Sequence, residues 1–177
     1  MYSIAALLET DSSEPWHKIA SACEYSGVTT HAIPRFSWQT AEQYAVDPLQ
    51  DRLGTLTKTI SPFCFHTSGL GIFSNDHKIL FLIIIKTRAL LELHELLWRE
   101  LSGYAQEPRQ YYSPENWIPH LSLNLRGLTD DQFTCSLTEL SKNNPQFEFE
   151  VKRFGLLYVN GNTAGITASF PLTGQAK

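Results

Sequence analysis

"WIPHLSLNL", residues 117–125, and its near-echo "AIPRFSWQT", residues 32–40, decide how this chain is read. Each runs proline, a residue able to carry positive charge, an apolar residue, then serine. Arg35 in the earlier copy stands where the later copy has His120, an offset of 85 residues. A second pair of landmarks keeps that interval: the turn signals Asn75-Asp76 and Asn160-Gly161 are also 85 residues apart. Between motif and turn, each half has an aromatic strand start, Phe63-Cys64-Phe65 and Phe147-Glu148-Phe149. These starts are 84 residues apart, and the same order at nearly one interval marks an internal duplication with one small gap. We expect a single domain over 1–177, with duplicated halves at roughly 1–86 and 87–172.

Around the motifs, four helices have readable ends. One begins after Ser13, with Pro15 in its first turn, and stops at Gly27. A second opens with Asp47 as N-cap and buries Leu49, Leu53, Leu56 and Ile60. A third opens at Thr87, carries Leu90, Leu93, Leu97 and Leu101, and ends at Gly103. The fourth has Thr129 and Gln132 in capping-box spacing and buries Phe133, Leu137 and Leu140. Strands are expected over about 2–8, 31–39, 62–67, 79–86, 118–125, 147–158 and 164–171.

Each half then reads helix, motif strand, helix, strand, turn, strand. This predicts an α+β fold of two pseudo-twofold-related lobes, each a mostly antiparallel sheet with helices on its outer face, and a central groove between the sheets. Strand alternation puts Arg35, Ser37 and Gln39 on one face, and His120, Ser122 and Asn124 on the matching face of the second copy. Those polar sets should face the groove, while Phe36, Trp38, Leu121 and Leu123 face the helices.

Bulk properties narrow the function. A net charge of −4 argues against coating duplex DNA through bulk charge, yet allows a small phosphate ligand held by local groups. The three cysteines, Cys23, Cys64 and Cys135, form no CxxC pair and read as reduced thiols of a cytoplasmic protein. The run "ILFLIII" at 79–85 is strand-sized and too short to span a membrane, and the N-terminal apolar run is too short for a signal peptide. "HELLW" at 94–98 lacks the second histidine of a zinc site, and "GLG" at 69–71 precedes a hairpin, not a phosphate-binding helix. His17, His77 and His94 fall on expected helix surfaces or a turn and should be solvated.

Two H-x-[ST]-type strand motifs half a chain apart resemble the 2H phosphoesterase superfamily, which includes 2′-5′ RNA ligase-like proteins and cyclic phosphodiesterases. The resemblance extends from Ser3 to Leu172, with "PHLSL" at 119–123 a full match and "PRFSW" at 34–38 lacking the histidine. It implies metal-free acid–base chemistry on a phosphodiester, with no cofactor. Two imidazoles flank the phosphorus, and the hydroxyl two residues after each donates to phosphate oxygens. Carried over, His120 is the acid or base and Ser37 and Ser122 are the phosphate donors. Arg35 cannot exchange a proton near neutral pH, but its planar fork of donors can clamp phosphate.

The resemblance thus implies a divergent protein acting on a nucleotide or RNA end that carries a phosphodiester or cyclic phosphate. The alternative is a catalytically impaired member that binds such an end, or a protein partner, without turnover. Whether the chain is an enzyme turns on Arg35. A monomer is expected. His31 lies four extended residues from Arg35, roughly 13 Å, too far to replace it, while His66 begins the turn after the third strand and could approach the groove. Tyr111, Tyr112 and Trp117, just before the second motif, are candidates for stacking on a base.

Overall fold

The computed structural model describes residues 1–8, 34–74, 79–123, 129–142, 146–160 and 163–175. Its strands are β1 (Tyr2–Leu7), β2 (Arg35–Tyr44), β3 (Phe63–Phe73), β4 (Ile79–Ile84), β5 (Ala105–Pro108), β6 (His120–Ser122), β7 (Glu148–Val151), β8 (Arg153–Asn160) and β9 (Thr163–Pro171). Its helices are α1 (Val46–Leu56), α2 (Arg88–Leu101) and α3 (Asp130–Lys142). The helix expected between Ser13 and Gly27 lies outside the described residues, as do His17, His31, His77 and Asn124.

Helix ends follow local chemistry. Thr87 caps α2, its hydroxyl accepting from the Leu90 N–H at 3.2 Å. Thr129 and Gln132 form the reciprocal capping box ahead of α3, at 3.0 and 3.2 Å. At α1 the expectation is corrected. The helix begins two residues earlier, Ala45 takes the cap position without a side-chain bond, and Asp47 sits in the first turn. There the carboxylate still meets the positive end of the helix dipole, and Pro48 needs no N–H partner.

The strands form two antiparallel sheets, one ordered β5-β2-β1-β8-β9 and the other β6-β4-β3-β7. Set β1 against β4, and β2-β1-β8 matches β6-β4-β3. Strands β1 and β2 of the first half pair with β8 and β5 of the second, and β3 and β4 of the first half pair with β7 and β6 of the second. Both walls of the groove are therefore built from both halves. The unforeseen β5 is an edge strand on β2, where Pro108 is tolerated because one side of the strand needs no partner.

A register shift in the β1–β2 pair decides which side chains face the groove. Ala5 opposes Ser37 and Ile4 opposes Gln39, so Trp38 is an extra residue in β2. Before it, Phe36 points with Ile4 and Ala6 into the apolar core. After it, alternation is inverted. Gln39 turns to the helix side, donating to the Ser102 hydroxyl at 2.8 Å and accepting from Tyr44 at 3.0 Å. The expected grouping of Gln39 with Arg35 and Ser37 is thereby corrected, and Thr40 takes its place on the groove face.

In the second sheet the core face carries Leu80, Leu82, Ile84, Leu121 and Leu123, all buried. The opposite face carries Gly69, Gly71 and Phe73 of β3, Phe81 and Ile83 of β4, and His120 and Ser122 of β6. A Cβ on Gly71 would lie 2.3 Å from the Phe81 ring, whereas one on Gly69 would meet nothing within 4 Å. Gly71→Ala should therefore destabilise by about 1–3 kcal/mol through overpacking, while Gly69→Ala stays within about 1 kcal/mol of wild type. Urea unfolding midpoints check the contrast; equal effects would contradict the packing described for Phe81.

Candidate functional site

One wall of the groove is built from β2, β1 and β8, whose register aligns three rows of side chains. The first runs Arg35, Leu7, Arg153, and the second Ser37, Ala5, Gly155. The third runs Thr40, Ser3, Leu157. Two arginines thus stand on either side of Leu7, two strands and roughly 10 Å apart at the backbone. Leu7 leans over Gly155, where a Cβ would come within 2.7 Å of its side chain. Ala5, Leu7 and Leu157 form a small buried apolar floor of their own. Beside it lies a hydroxyl cluster: Ser3 donates to Ser37 at 2.8 Å, and Thr40 donates to Ser3 at 3.4 Å.

The other wall presents His120. Its ring sits in an aromatic corner, edge-on to Phe73 at 4.9 Å and tilted against Phe81 at 5.1 Å, with those two phenyl rings stacked on each other at 4.2 Å. Its Nδ1 lies 2.7 Å from the Ile118 carbonyl oxygen. A carbonyl only accepts, so Nδ1 carries the proton of the neutral ring and Nε2 keeps the lone pair. Burial pushes the His120 pKa below its ordinary value of 6.5, more than the bond to Ile118 raises it. Near neutral pH this imidazole is therefore a proton acceptor. Ser122, two residues on, shares its face and lies opposite Phe81.

A buried stack joins the two walls. Strands β2 and β6 belong to different sheets but run in contact. Trp117, just before β6, donates from Nε1 to the Ser37 carbonyl at 3.1 Å. His94 of α2 bonds through Nε2 to the Trp38 carbonyl at 3.1 Å, and its ring stacks on Trp117 at 3.8 Å. Trp38 packs against Trp117 at 5.5 Å. Both carbonyls at the centre of the first motif are thus held by side chains from the second half.

Several expectations change here. Trp117 is 2% exposed and enclosed by its neighbours, so no ring face is open to a base, and it is a core residue. Tyr111 is exposed, and Tyr112 is half-buried against the core in the 3-10 turn 110–112. His94 is 1% exposed, not solvated: with Leu90, Leu97 and Leu101 it fills the inward stripe of α2. His66 lies within β3, not at a turn, exposed opposite Glu148 on the β3–β7 ribbon. Cys64 is a free, exposed thiol, but Cys135 is disulfide-bonded, which corrects the reading of three reduced thiols. Sequence reasoning missed Phe73, Phe81, Ser3 and Thr40. Gly71, within an otherwise strand-like run, was a signal of a point kept clear for a neighbouring ring, that of Phe81.

Among the described residues, no three His, Cys, Asp or Glu side chains gather into a metal-binding cluster, and no helix is long and apolar enough to cross a membrane.

The 2′-5′ RNA ligase superfamily profile matches residues 30–163, and the chain belongs to that family. Among curated proteins, none matches by sequence. Among solved structures the chain is similar to TT0787 of Thermus thermophilus, at 16% identity, 99% coverage of each chain and a TM-score of 0.58. It is also similar to E. coli LigT complexed with 3′-AMP, at 14% identity, 97% coverage of each chain and a TM-score of 0.59. LigT complexed with NADP+ aligns at 15% identity over 97% of this chain and 96% of that one, with a TM-score of 0.58. These likenesses show the fold.

The buried stack gives a pH-dependent stability. Burial lowers the His94 pKa from 6.5, outweighing its backbone hydrogen bond to Trp38, and His120 is lowered likewise. The unfolded chain then binds protons that the folded chain refuses. This contribution is complete above about pH 6.5 and is lost as pH falls through the lowered values. We expect the urea midpoint to drop between pH 7.5 and 5, and His94→Gln to flatten that slope while lowering stability at pH 7.5. An unchanged slope in His94→Gln would contradict the role given to His94.

Proposed function

We propose that this member of the 2′-5′ RNA ligase superfamily binds a nucleotide or RNA end through its phosphate in the groove, and acts on a cyclic or 2′-5′ phosphodiester there with a single general base, His120. The carrying observation is the Nδ1 bond of His120 to Ile118, which presents Nε2 as the proton acceptor. Support for a phosphate ligand comes from Arg35 and Arg153 in one cross-strand row, on a chain whose net charge is −4. The 3′-AMP and NADP+ in the LigT structures make nucleotides the first ligands to try. Ser37 and Ser122 would donate to phosphate oxygens, and exposed Tyr111 is the residue before the second motif best placed to meet a base.

On a 2′,3′-cyclic phosphate, water attacks phosphorus and a new P–O bond forms as the proton passes to His120 Nε2. One ribose P–O bond breaks, its electron pair stays on the ribose oxygen, and that oxygen takes a proton from solvent. In a two-histidine site the second imidazole would supply that proton. Arg35 instead offers positive charge and fixed donors, stabilising the charge without neutralising it. A missing acid costs about 10²–10⁴-fold in rate, so turnover is slow. The same substitution supports the second reading, a phosphate-binding protein without turnover. We propose a monomer in the cytoplasm that does not bind duplex DNA; the free, exposed Cys64 thiol fits that compartment. The matching strand orders of the two sheets support an ancestral duplication.

With adenosine 2′,3′-cyclic phosphate as substrate, His120→Ala should remove the slow hydrolysis. The wild-type rate should fall only on the acid side, below about pH 6.5, because the lowered His120 pKa sets the limb and Arg35 does not titrate. Arg35→His should raise the rate and add a second, basic limb. Wild-type turnover no greater than that of His120→Ala would sink the enzymatic reading. The binding reading then requires 3′-AMP affinity that weakens with Arg35→Ala and with added salt.

A further inference from the structure

We infer that Ser3 is a positioning residue for the phosphate site, aiming the Ser37 hydroxyl at the ligand through a one-way chain of hydroxyls that starts at Thr40. The inference rests on the phosphate-binding reading of the groove and adds to it residues outside both sequence motifs. Ser3, Ser37 and Thr40 leave the same face of the sheet, because Ser3 opposes Thr40 directly and the bulge at Trp38 brings Ser37 opposite the neighbouring Ala5. Ser3 is 3% exposed and Thr40 5% exposed, while Ser37 is only half-buried and fronts the groove. The separations are 2.8 Å from Ser3 to Ser37 and 3.4 Å from Thr40 to Ser3.

Direction follows from the ligand's chemistry. Each hydroxyl has one proton to donate and lone pairs with which to accept. Phosphate oxygens at a diester or anion only accept, so a Ser37 that holds phosphate must spend its proton on the ligand. Its oxygen is then an acceptor, and the buried Ser3 must donate to it. The Ser3 oxygen in turn accepts from Thr40, giving the sequence Thr40 to Ser3 to Ser37 to phosphate. Each donation polarises the next hydroxyl and strengthens its outward bond. Without a ligand, the same short Ser3–Ser37 contact already holds the Ser37 oxygen in place. The donor is set before phosphate arrives, so little freedom is lost on binding.

The decisive feature is that Ser3 acts only through Ser37. We would measure 3′-AMP affinity by titration calorimetry for wild type, Ser3→Ala, Ser37→Ala and the double variant, with Ser3→Thr as the hydroxyl-retaining control and thermal unfolding to confirm folding. Loss of one hydrogen bond corresponds to about a 3- to 10-fold weaker affinity. Ser3→Ala should weaken binding by that factor in the wild-type background and not at all in the Ser37→Ala background, and Ser3→Thr should restore it. An unchanged affinity in Ser3→Ala, or an equal loss in both backgrounds, would overturn the positioning role while leaving the phosphate site standing. Folded wild type that does not bind 3′-AMP would overturn the phosphate site and this inference with it.

Discussion

The rest of the structure depends on one buried contact, the stack of His94 on Trp117 beneath Trp38. Two polar bonds leave it for the carbonyls of Ser37 and Trp38. Those carbonyls belong to the strand that carries the first motif, whereas Trp117 leads directly into the second. A change in the separation of the motif strands would break both bonds and open a core in which Trp38 and Trp117 are almost wholly buried. Burying rings of that size contributes roughly 1.5–3 kcal/mol each. The groove is thus fixed at its root, where the two sheets touch, by aromatic packing and not by charge.

What the fixed walls present to each other is chemically unequal. Among the described residues, one wall gives two guanidinium groups, a hydroxyl cluster and a small apolar floor; the other gives the His120 imidazole in a corner of two phenyl rings. Apolar surroundings explain why His120 favours its neutral form, and the Ile118 carbonyl explains which nitrogen is left to take a proton. The arginines keep their charge at any working pH. In the proposed function this arrangement would separate the two jobs that a histidine pair shares, with proton transfer at one wall and charge stabilisation mainly at the other.

Much of this was legible in the residues. The 85-residue interval located both motif strands, capping chemistry marked the starts of α2 and α3, and alternation placed Arg35 with Ser37 and His120 with Ser122. The misreadings have physical causes. A bulge carries no composition signal of its own, so Gln39 and Thr40 exchanged faces unseen. His94 and Leu93 are adjacent, and either could complete a helical stripe beginning at Leu90; only the partner on the other side, Trp117, decides for the histidine. Trp117 looked available to a base because its sequence neighbours are polar, yet its burial is set by residues as far as 80 positions away, Ser37 among them. The pairing of β8 with β1, β7 with β3 and β6 with β4 is long-range, and no local pattern encodes it.

The central claim is that His120 is the groove's proton acceptor, held as the Nδ1-protonated tautomer beside a phosphate site. Long-range nitrogen–proton NMR of the histidine rings, with His120 assigned by substitution and titrated with and without inorganic phosphate, tests it directly. The account predicts a proton on Nδ1 at about pH 7.5, titration below about 6.5 in the free protein, and an upward shift when phosphate binds. A proton on Nε2, or a titration indifferent to phosphate, would contradict it.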